Sequence, residues 1–197
     1  PYKNIYNVLV EGEKISAVFV STTTPNLFLV PSHLSLAGAE IEMVNMISRE
    51  SLLKKALREF KEDFDYAIID CPPSLGLLTI NALCAADDLI IPIQCEYFAL
   101  EGLGQLIETT KLVKGINPDL TIGGVILTMY DSRTKLSESV VGDVKEFFKD
   151  LAFSSIVPRN VRLSEAPSYG KTIFEYDDKS TGALAYKNLA KEFIKRF

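Results

Sequence analysis

A chain of 197 residues, 47% hydrophobic and 24% charged, has the material for one soluble domain over 1–197 with an ample core. Its net charge of −5 excludes a polycation, so any nucleic-acid contact has to come from a local basic patch or from one completed by a second subunit. No apolar run approaches the roughly 20 residues of a membrane span and no signal peptide is present, which points to the cytoplasm. The three cysteines, Cys71, Cys84 and Cys95, form no C-x-x-C pair and are expected to be reduced thiols. The sequence starts at Pro1 rather than Met, in what reads as a helix-to-loop segment, as expected of a piece of something longer.

Residues 1–25 are weakly patterned, with apolar runs only at 8–10 and 17–20. Asn26-Leu27-Phe28-Leu29-Val30-Pro31-Ser32 predicts a short buried strand closed by its proline. His33, the lone histidine, follows in a turn and is assigned no role. From 37 to about 60 the spacing is helical: Ile41, Val44, Ile47, Leu53, Leu57 and Phe60 recur at threes and fours, with charged residues facing away. A strand over 66–71, a short helix over 79–86, a strand over 89–94 and a helix over about 100–113 come next, the last stopped by Gly115 and Asn117-Pro118. A strand over 121–128, a helix over 138–149, a strand over 155–157 and a C-terminal helix over about 183–197 complete the alternation. Strands alternating with helices predict right-handed βαβ units and an α/β fold, a mostly parallel sheet covered by helices on both faces.

The stretch Tyr66-Ala67-Ile68-Ile69-Asp70-Cys71-Pro72-Pro73-Ser74 carries the strongest chemical signal. Apolar residues run straight into a carboxylate, and two prolines stop the strand, so the pattern predicts a buried strand delivering Asp70 to the carboxyl edge of the sheet. A fixed carboxylate in that place suits a magnesium site of the Walker-B kind, whereas an isolated Asp-x-Pro is equally a turn former. Gly170-Lys171-Thr172 mimics the end of a phosphate loop, G-x-x-x-x-G-K-[ST]. The first glycine of that pattern falls on Glu165, Pro167 lies inside the loop, and 173–177 is expected not to open a helix, so Lys171 reads as a surface cation. The sequence therefore holds a Walker-B-like aspartate without a Walker A loop.

Four runs carry a family resemblance: 65–76 around Asp70; Pro92-Ile93-Gln94-Cys95-Glu96-Tyr97-Phe98-Ala99-Leu100-Glu101-Gly102; Leu127-Thr128-Met129-Tyr130-Asp131-Ser132-Arg133; and Ile156-Val157-Pro158-Arg159-Asn160-Val161-Arg162-Leu163-Ser164-Glu165-Ala166-Pro167. Together with Leu36-Ala37-Gly38-Ala39-Glu40, they resemble ParA/Soj chromosome-partitioning ATPases, in family order and over essentially the whole chain. The resemblance implies a deviant-Walker P-loop fold that binds ATP and magnesium, forms a homodimer around the nucleotide, binds DNA nonspecifically on the nucleoid in the cytoplasm, and is stimulated by a ParB-type partner. The family's phosphate loop lies upstream of everything present, so the chain is expected to be roughly the C-terminal two-thirds of such a protein and to show no ATPase activity by itself.

Carried over residue by residue, the resemblance implies that Asp70 is the Walker-B aspartate, meeting magnesium through water, and that Pro72, Pro73 and Ser74 form a switch loop. Thr128, Met129 and Asp131, with Pro158, Arg159 and Asn160, are implied as adenine-side walls, and Glu96, Tyr97, Phe98 and Gly102 as part of the dimer face. Candidate DNA contacts are Arg133, Arg162 and Lys171, with Lys135 and Arg159 behind them. Two alternatives compete. One is a MinD-type membrane-associated relative, for which Tyr186, Leu189, Ala190, Phe193, Ile194 and Phe197 would form the apolar stripe, although docking on the sheet is the commoner use of such a stripe. The other is a noncatalytic interaction fragment with exposed sheet edges.

Overall fold

The computed structural model describes residues 3–60, 64–97 and 102–197. The chain divides into two compact units, one made of Pro1–Asp87 and Glu108–Leu120, the other of Asp88–Ile107 and Thr121–Phe197.

In the first unit, Asn4 caps helix α1 (Ile5–Val10) by accepting from the Tyr6 amide, while Asn7 returns the bond to the Asn4 amide. Strands β1 (Val20–Ser21) and β2 (Phe28–Leu29) pair antiparallel. The strand expected over 26–32 is thus reduced to two residues, and Leu27, Phe28 and Leu29 are exposed rather than buried, because the chain turns back on itself through Asn26 at φ 62°. The single helix expected over 37–60 is also corrected. It is interrupted between α2 (Leu36–Met43) and α3 (Leu52–Leu57), where Ser48 takes a left-handed conformation (φ 54°) and the Arg49 guanidinium binds the Val44 carbonyl. Ile47, expected inside, is 91% exposed. Helix α4 (Leu77–Ala85) lies against α3 and supplies its missing N-terminal cap: buried Asn81 accepts from the Leu53 amide (3.1 Å) and donates to the Arg49 carbonyl (2.7 Å). Leu9, Ala39, Met43 and Leu53 form the core of this unit.

The strand predicted over 66–71 is absent as a ladder. Among the described residues the paired strands lie elsewhere, and 66–70 lies in no helix or strand, with Ile68 89% exposed and only Ile69 packed inward. Apolar composition and length give the segment the capacity to pair, but a strand exists only where a neighbour accepts and donates its hydrogen bonds.

The second unit holds the parallel sheet. Strand β3 (Asp88–Gln94) pairs parallel with β4 (Thr121–Thr128), in register from Ile90↔Gly124 to Gln94↔Thr128. The segment expected as a strand over 155–157 runs parallel along the far side of β4 through isolated bridges, with Phe153 N–H donating to Val125 O and Val157 N–H to Leu127 O, both at 2.9 Å. Side-chain alternation sends Ile91, Ile93, Val125 and Leu127 to one face, under helix α6 (Lys135–Phe148) and Leu103 and Leu106 of helix α5 (Leu103–Val113). Ile90 and Ile126 face the other side, where Phe153, Val157 and Leu189 are buried. The C-terminal helix α9 (Thr181–Arg196) packs Leu189 and Phe193 on the sheet, whereas Tyr186, Ile194 and Phe197 of the same predicted stripe are exposed. Its Arg196 guanidinium lies 4.1 Å over the Phe153 ring and donates to the carbonyls of Gly123, Asp150 and Leu151. Among the described residues no helix is long and apolar enough to cross a membrane. Short helices α7 (Val161–Glu165) and α8 (Ile173–Tyr176) precede α9. Helix α8 corrects the expectation that nothing helical follows Gly170-Lys171-Thr172: Thr172 and Glu175 form a reciprocal capping box that starts one turn.

Candidate functional site

Parallel strands end on one edge, and the carboxyl ends of β3, β4 and the 153–159 segment release three loops there. These loops and the N-terminal turn of α6 surround a cleft of about 680 Å³, a volume in the usual range for small-molecule sites. Its walls include Glu96 and Tyr97 after β3, Met129 and Asp131 after β4, Arg159 from the third loop, and Thr134, Leu136 and Ser137 from α6.

The loops are held by bonds that cross between them. Cys95 N–H donates to Thr128 O (2.8 Å), joining the two strand ends. Ser137, 2% exposed, donates its hydroxyl to Cys95 O (3.1 Å) and accepts from the Asp131 amide (3.3 Å), while Thr134 caps α6 by accepting from Ser137 N–H. Met129 sits in the left-handed region at φ 55°, an unusual choice for an unbranched side chain, and turns the chain sharply at the end of β4.

Charge in the cleft is balanced. Asp131 accepts from the Arg133 amide (3.0 Å), Nε (2.9 Å) and Nη2 (2.6 Å), and these bonds, with the further field of Arg159, hold its carboxyl well below the usual range. Arg159 is ion-paired with Glu96. Arg133 lies outside the lining and neutralises Asp131 from without, so each of the two carboxylates in the wall, Glu96 and Asp131, has an arginine partner. Burial pushes the Cys95 thiol up, away from the reactive thiolate.

The sequence-predicted residues divide between the units. In the second, Met129, Asp131 and Arg159 line the cleft together with Glu96 and Tyr97; Thr128 stands at the end of β4 with its hydroxyl on Ile93 O (3.3 Å). Pro158 bridges Tyr130 behind the wall. Asn160 is engaged structurally: its Oδ1 caps α7 through the Arg162 and Leu163 amides and its Nδ2 donates to Thr181 Oγ1 at 2.7 Å. Gly102 has open space where a side chain would stand, and Phe98 lies outside the described residues. Thr134 and Ser137 escape the sequence reading, although a Thr just ahead of a helical run, in the loop that follows β4, is a helix-start signal. In the first unit, Asp70 is exposed, and Pro72, Pro73 and Ser74 form an exposed turn closed by Ser74 N–H to Pro72 O (2.8 Å). That turn leads into α4, whose N-terminus is capped by Glu40, accepting from Leu78 N–H at 3.1 Å; a side chain at Gly76 would collide with this carboxylate. Among the described residues no cluster of three or more His, Cys, Asp or Glu could hold a metal.

The candidate arginines are engaged by carboxylates. Besides Arg133 and Arg159, Arg162 pairs with Glu165 (2.9 Å) and Asp177 (3.5 Å). Lys171 follows Gly170 (φ 62°) and is exposed, as is Lys135 at the start of α6.

Comparison with known proteins bears on this arrangement. The family described as AAA domain matches residues 1–122. The sporulation initiation inhibitor protein Soj of Bacillus subtilis is 55% identical over 189 residues, covering 95% of this chain and 75% of that protein. The chromosome partitioning protein ParA of Myxococcus xanthus is 52% identical over 193 residues, 98% of this chain and 68% of that protein. Among solved structures, a Mycobacterium smegmatis protein described as cobyrinic acid a,c-diamide synthase, with bound ADP and magnesium, superposes with a TM-score of 0.81 at 38% identity, covering 98% and 71% of the two chains. A Borrelia burgdorferi plasmid partition protein bound to AMPPNP gives 0.83 at 26% identity, covering 98% and 74%. The parallel sheet with helices on both faces is thus a P-loop NTPase fold, and at these identities and coverages the chain belongs to the Soj/ParA family of chromosome-partitioning ATPases.

Proposed function

We propose that this chain is the base-side and switch portion of an ATP-dependent chromosome-partitioning protein, cytoplasmic and nucleoid-associated, in which nucleotide controls homodimer formation and the dimer holds DNA nonspecifically and answers a ParB-type partner. The observation that carries the nucleotide reading is the cleft: it opens at the carboxyl edge of a parallel sheet, and both carboxylates in its wall are paired with arginines, leaving no unpartnered cation among the described lining residues, which suits a neutral ring rather than a phosphate. Met129, Asp131 and Arg159 would wall the base, with Thr128, Pro158 and Asn160 setting the loops, and Glu96, Tyr97, Phe98 and Gly102 would lie toward the dimer face. Asp70 is a single exposed carboxylate, which fits magnesium held mainly by phosphates and water rather than by a protein cage, and Pro72, Pro73 and Ser74 would form the loop that responds to it. Bound magnesium supplies charge neutralisation on the phosphates. Within these 197 residues the G-x-x-x-x-G-K-[ST] pattern is incomplete, so the residues present do not turn over ATP by themselves.

The name of the Mycobacterium smegmatis protein suggests amide synthesis as a competing reading. Relatives of higher identity, 46–55%, are named for partitioning or Soj, which favours the switch. The test is binding of a fluorescent ATP analogue with magnesium to the full-length protein. Arg159→Ala is expected to weaken it about tenfold, as removal of one charged hydrogen bond does, whereas Asp70→Asn should chiefly reduce the magnesium dependence. Unchanged affinity in Arg159→Ala, with an unchanged melting temperature, would remove the cleft from the nucleotide site.

A further inference from the structure

Arg162 projects from α7 with its guanidinium enclosed by carboxylates of its own chain. Nη1 lies 2.9 Å from Glu165 Oε2, one turn along the same helix, and Nε lies 3.5 Å from Asp177 Oδ2, after α8. Glu165 is fixed in turn, accepting from the Tyr176 hydroxyl at 3.0 Å, and the Arg162 bond, then the Tyr176 bond, hold its carboxyl below the ordinary range. All three charged side chains are partly solvent-exposed, at 53%, 38% and 34%, so the pairs can open without burying an orphan charge. A guanidinium with two carboxylate partners has little attraction left for a third anion until one of them leaves.

We propose that Glu165 and Asp177 are an intramolecular brake on DNA binding: they occupy Arg162 in competition with DNA phosphate, so the chain sets its own DNA affinity through this pair network. The inference rests on the reading of Arg162 as a DNA contact. Each exposed pair has to be exchanged for a phosphate, and the strength of such a pair corresponds to an affinity factor of about two to five. Gln at 165 keeps the acceptor for Tyr176 and removes only the charge, so α7 and α8 stay packed.

The experiment measures binding of a short duplex DNA of mixed sequence to the full-length protein with ATP and magnesium, as a function of salt. Arg162→Ala is expected to weaken binding and to lower the slope of log affinity against log salt by about 0.9 for each phosphate it no longer neutralises. Glu165→Gln and Asp177→Asn are each expected to tighten binding about two- to fivefold with the slope unchanged, and Glu165→Gln to have no effect in the Arg162→Ala background. Asp178→Asn, which removes a neighbouring exposed carboxylate outside the network, is expected to fall short of that gain. Equal tightening by Asp178→Asn, or by Glu165→Gln with and without Arg162, would reduce the effect to general charge and overturn the brake. So would no change or a loss of affinity in Glu165→Gln while Arg162→Ala still weakens binding. An Arg162→Ala protein with undiminished DNA affinity would instead remove Arg162 from the DNA surface, and the brake with it.

Discussion

Adding one methyl group at Gly124 tests how tightly the sheet is packed beneath the cleft. A Cβ there would stand 2.4 Å from Phe153 Cε2 and 2.8 Å from an Arg196 guanidinium nitrogen. Arg196 is the far end of a flexible side chain and can yield; Phe153 is fully buried and cannot, so either its ring or β4 must shift. Overpacking of this kind costs about 1–3 kcal/mol, and the stiffer unfolded chain returns about 0.4–1 kcal/mol. The net expectation is a loss of about 1–2 kcal/mol, which for a chain of this length is a drop in melting temperature of roughly 2–8 °C. Gly142 is the control with the opposite sign: it lies inside α6 with nothing within 4 Å, so alanine there should add about 0.5–1 kcal/mol. Thermal melts of the two variants, with Gly124→Ala repeated in a Phe153→Leu background to relieve the clash, decide the matter. A Gly124→Ala protein that melts with or above the wild type would refute the packing argument, as would an undiminished penalty when the smaller leucine side chain replaces the Phe153 ring.

Three further outcomes follow from individual interactions. Asn81→Leu is expected to lower stability by about 2–4 kcal/mol, because it leaves the Leu53 amide and the Arg49 carbonyl without partners in a closed site; urea titration measures it, and a loss below about 1 kcal/mol would show that water replaces the amide. Burial raises the Glu192 carboxyl, but bonds from the Ser154 and Ser155 amides (2.6 and 2.9 Å) outweigh it and leave the group below the ordinary range. Its contribution is therefore present above the unfolded value, near pH 4.3, and is lost as the pH falls through the lower folded value; the dependence of melting temperature on pH across that window should flatten in Glu192→Gln relative to the wild type. Arg133→Gln should let the Asp131 carboxyl rise toward the ordinary aspartate range, followed by NMR titration, and an unmoved Asp131 would show that Arg159 or the loop amides hold it instead.

What can be read from the sequence follows from which interactions are local. Strands β3 and β4 are legible almost to the residue because a strand covered on both faces is a continuous apolar run closed by polar residues. The same pattern at 66–70 predicts a buried strand and yields a largely exposed segment outside both sheets, since composition records the ability to join a ladder and not the presence of a neighbouring strand. The break between α2 and α3 escapes because apolar spacing continues in phase across it, and only the left-handed Ser48 marks the stop. The α8 turn is spelled by the Thr172 and Glu175 capping box, yet the adjoining glycine-lysine-threonine run mimics a phosphate loop and masks it. That Thr128, Met129 and Asp131 leave a strand end is legible. The Arg159–Glu96 pair, joining residues 63 apart, has no local signature.

The distribution of charge follows a common logic in both candidate surfaces. A chain with net charge −5 cannot attract a polyanion by its overall field, so specific cations must do it, yet Arg133, Arg159 and Arg162 each face a carboxylate of the same chain. In the cleft this cancellation is useful as it stands, because a neutral ring is better served by fixed, mutually satisfied dipoles than by a bare charge that water would compete to solvate. On the α7–α8 surface it has the reverse effect, since a phosphate gains only the difference between its own attraction for Arg162 and that of Glu165 and Asp177. On the proposed reading of this surface, affinity for DNA would depend on many such small differences acting together, as two copies of the surface on a dimer would supply, and would therefore be sensitive to salt and to assembly.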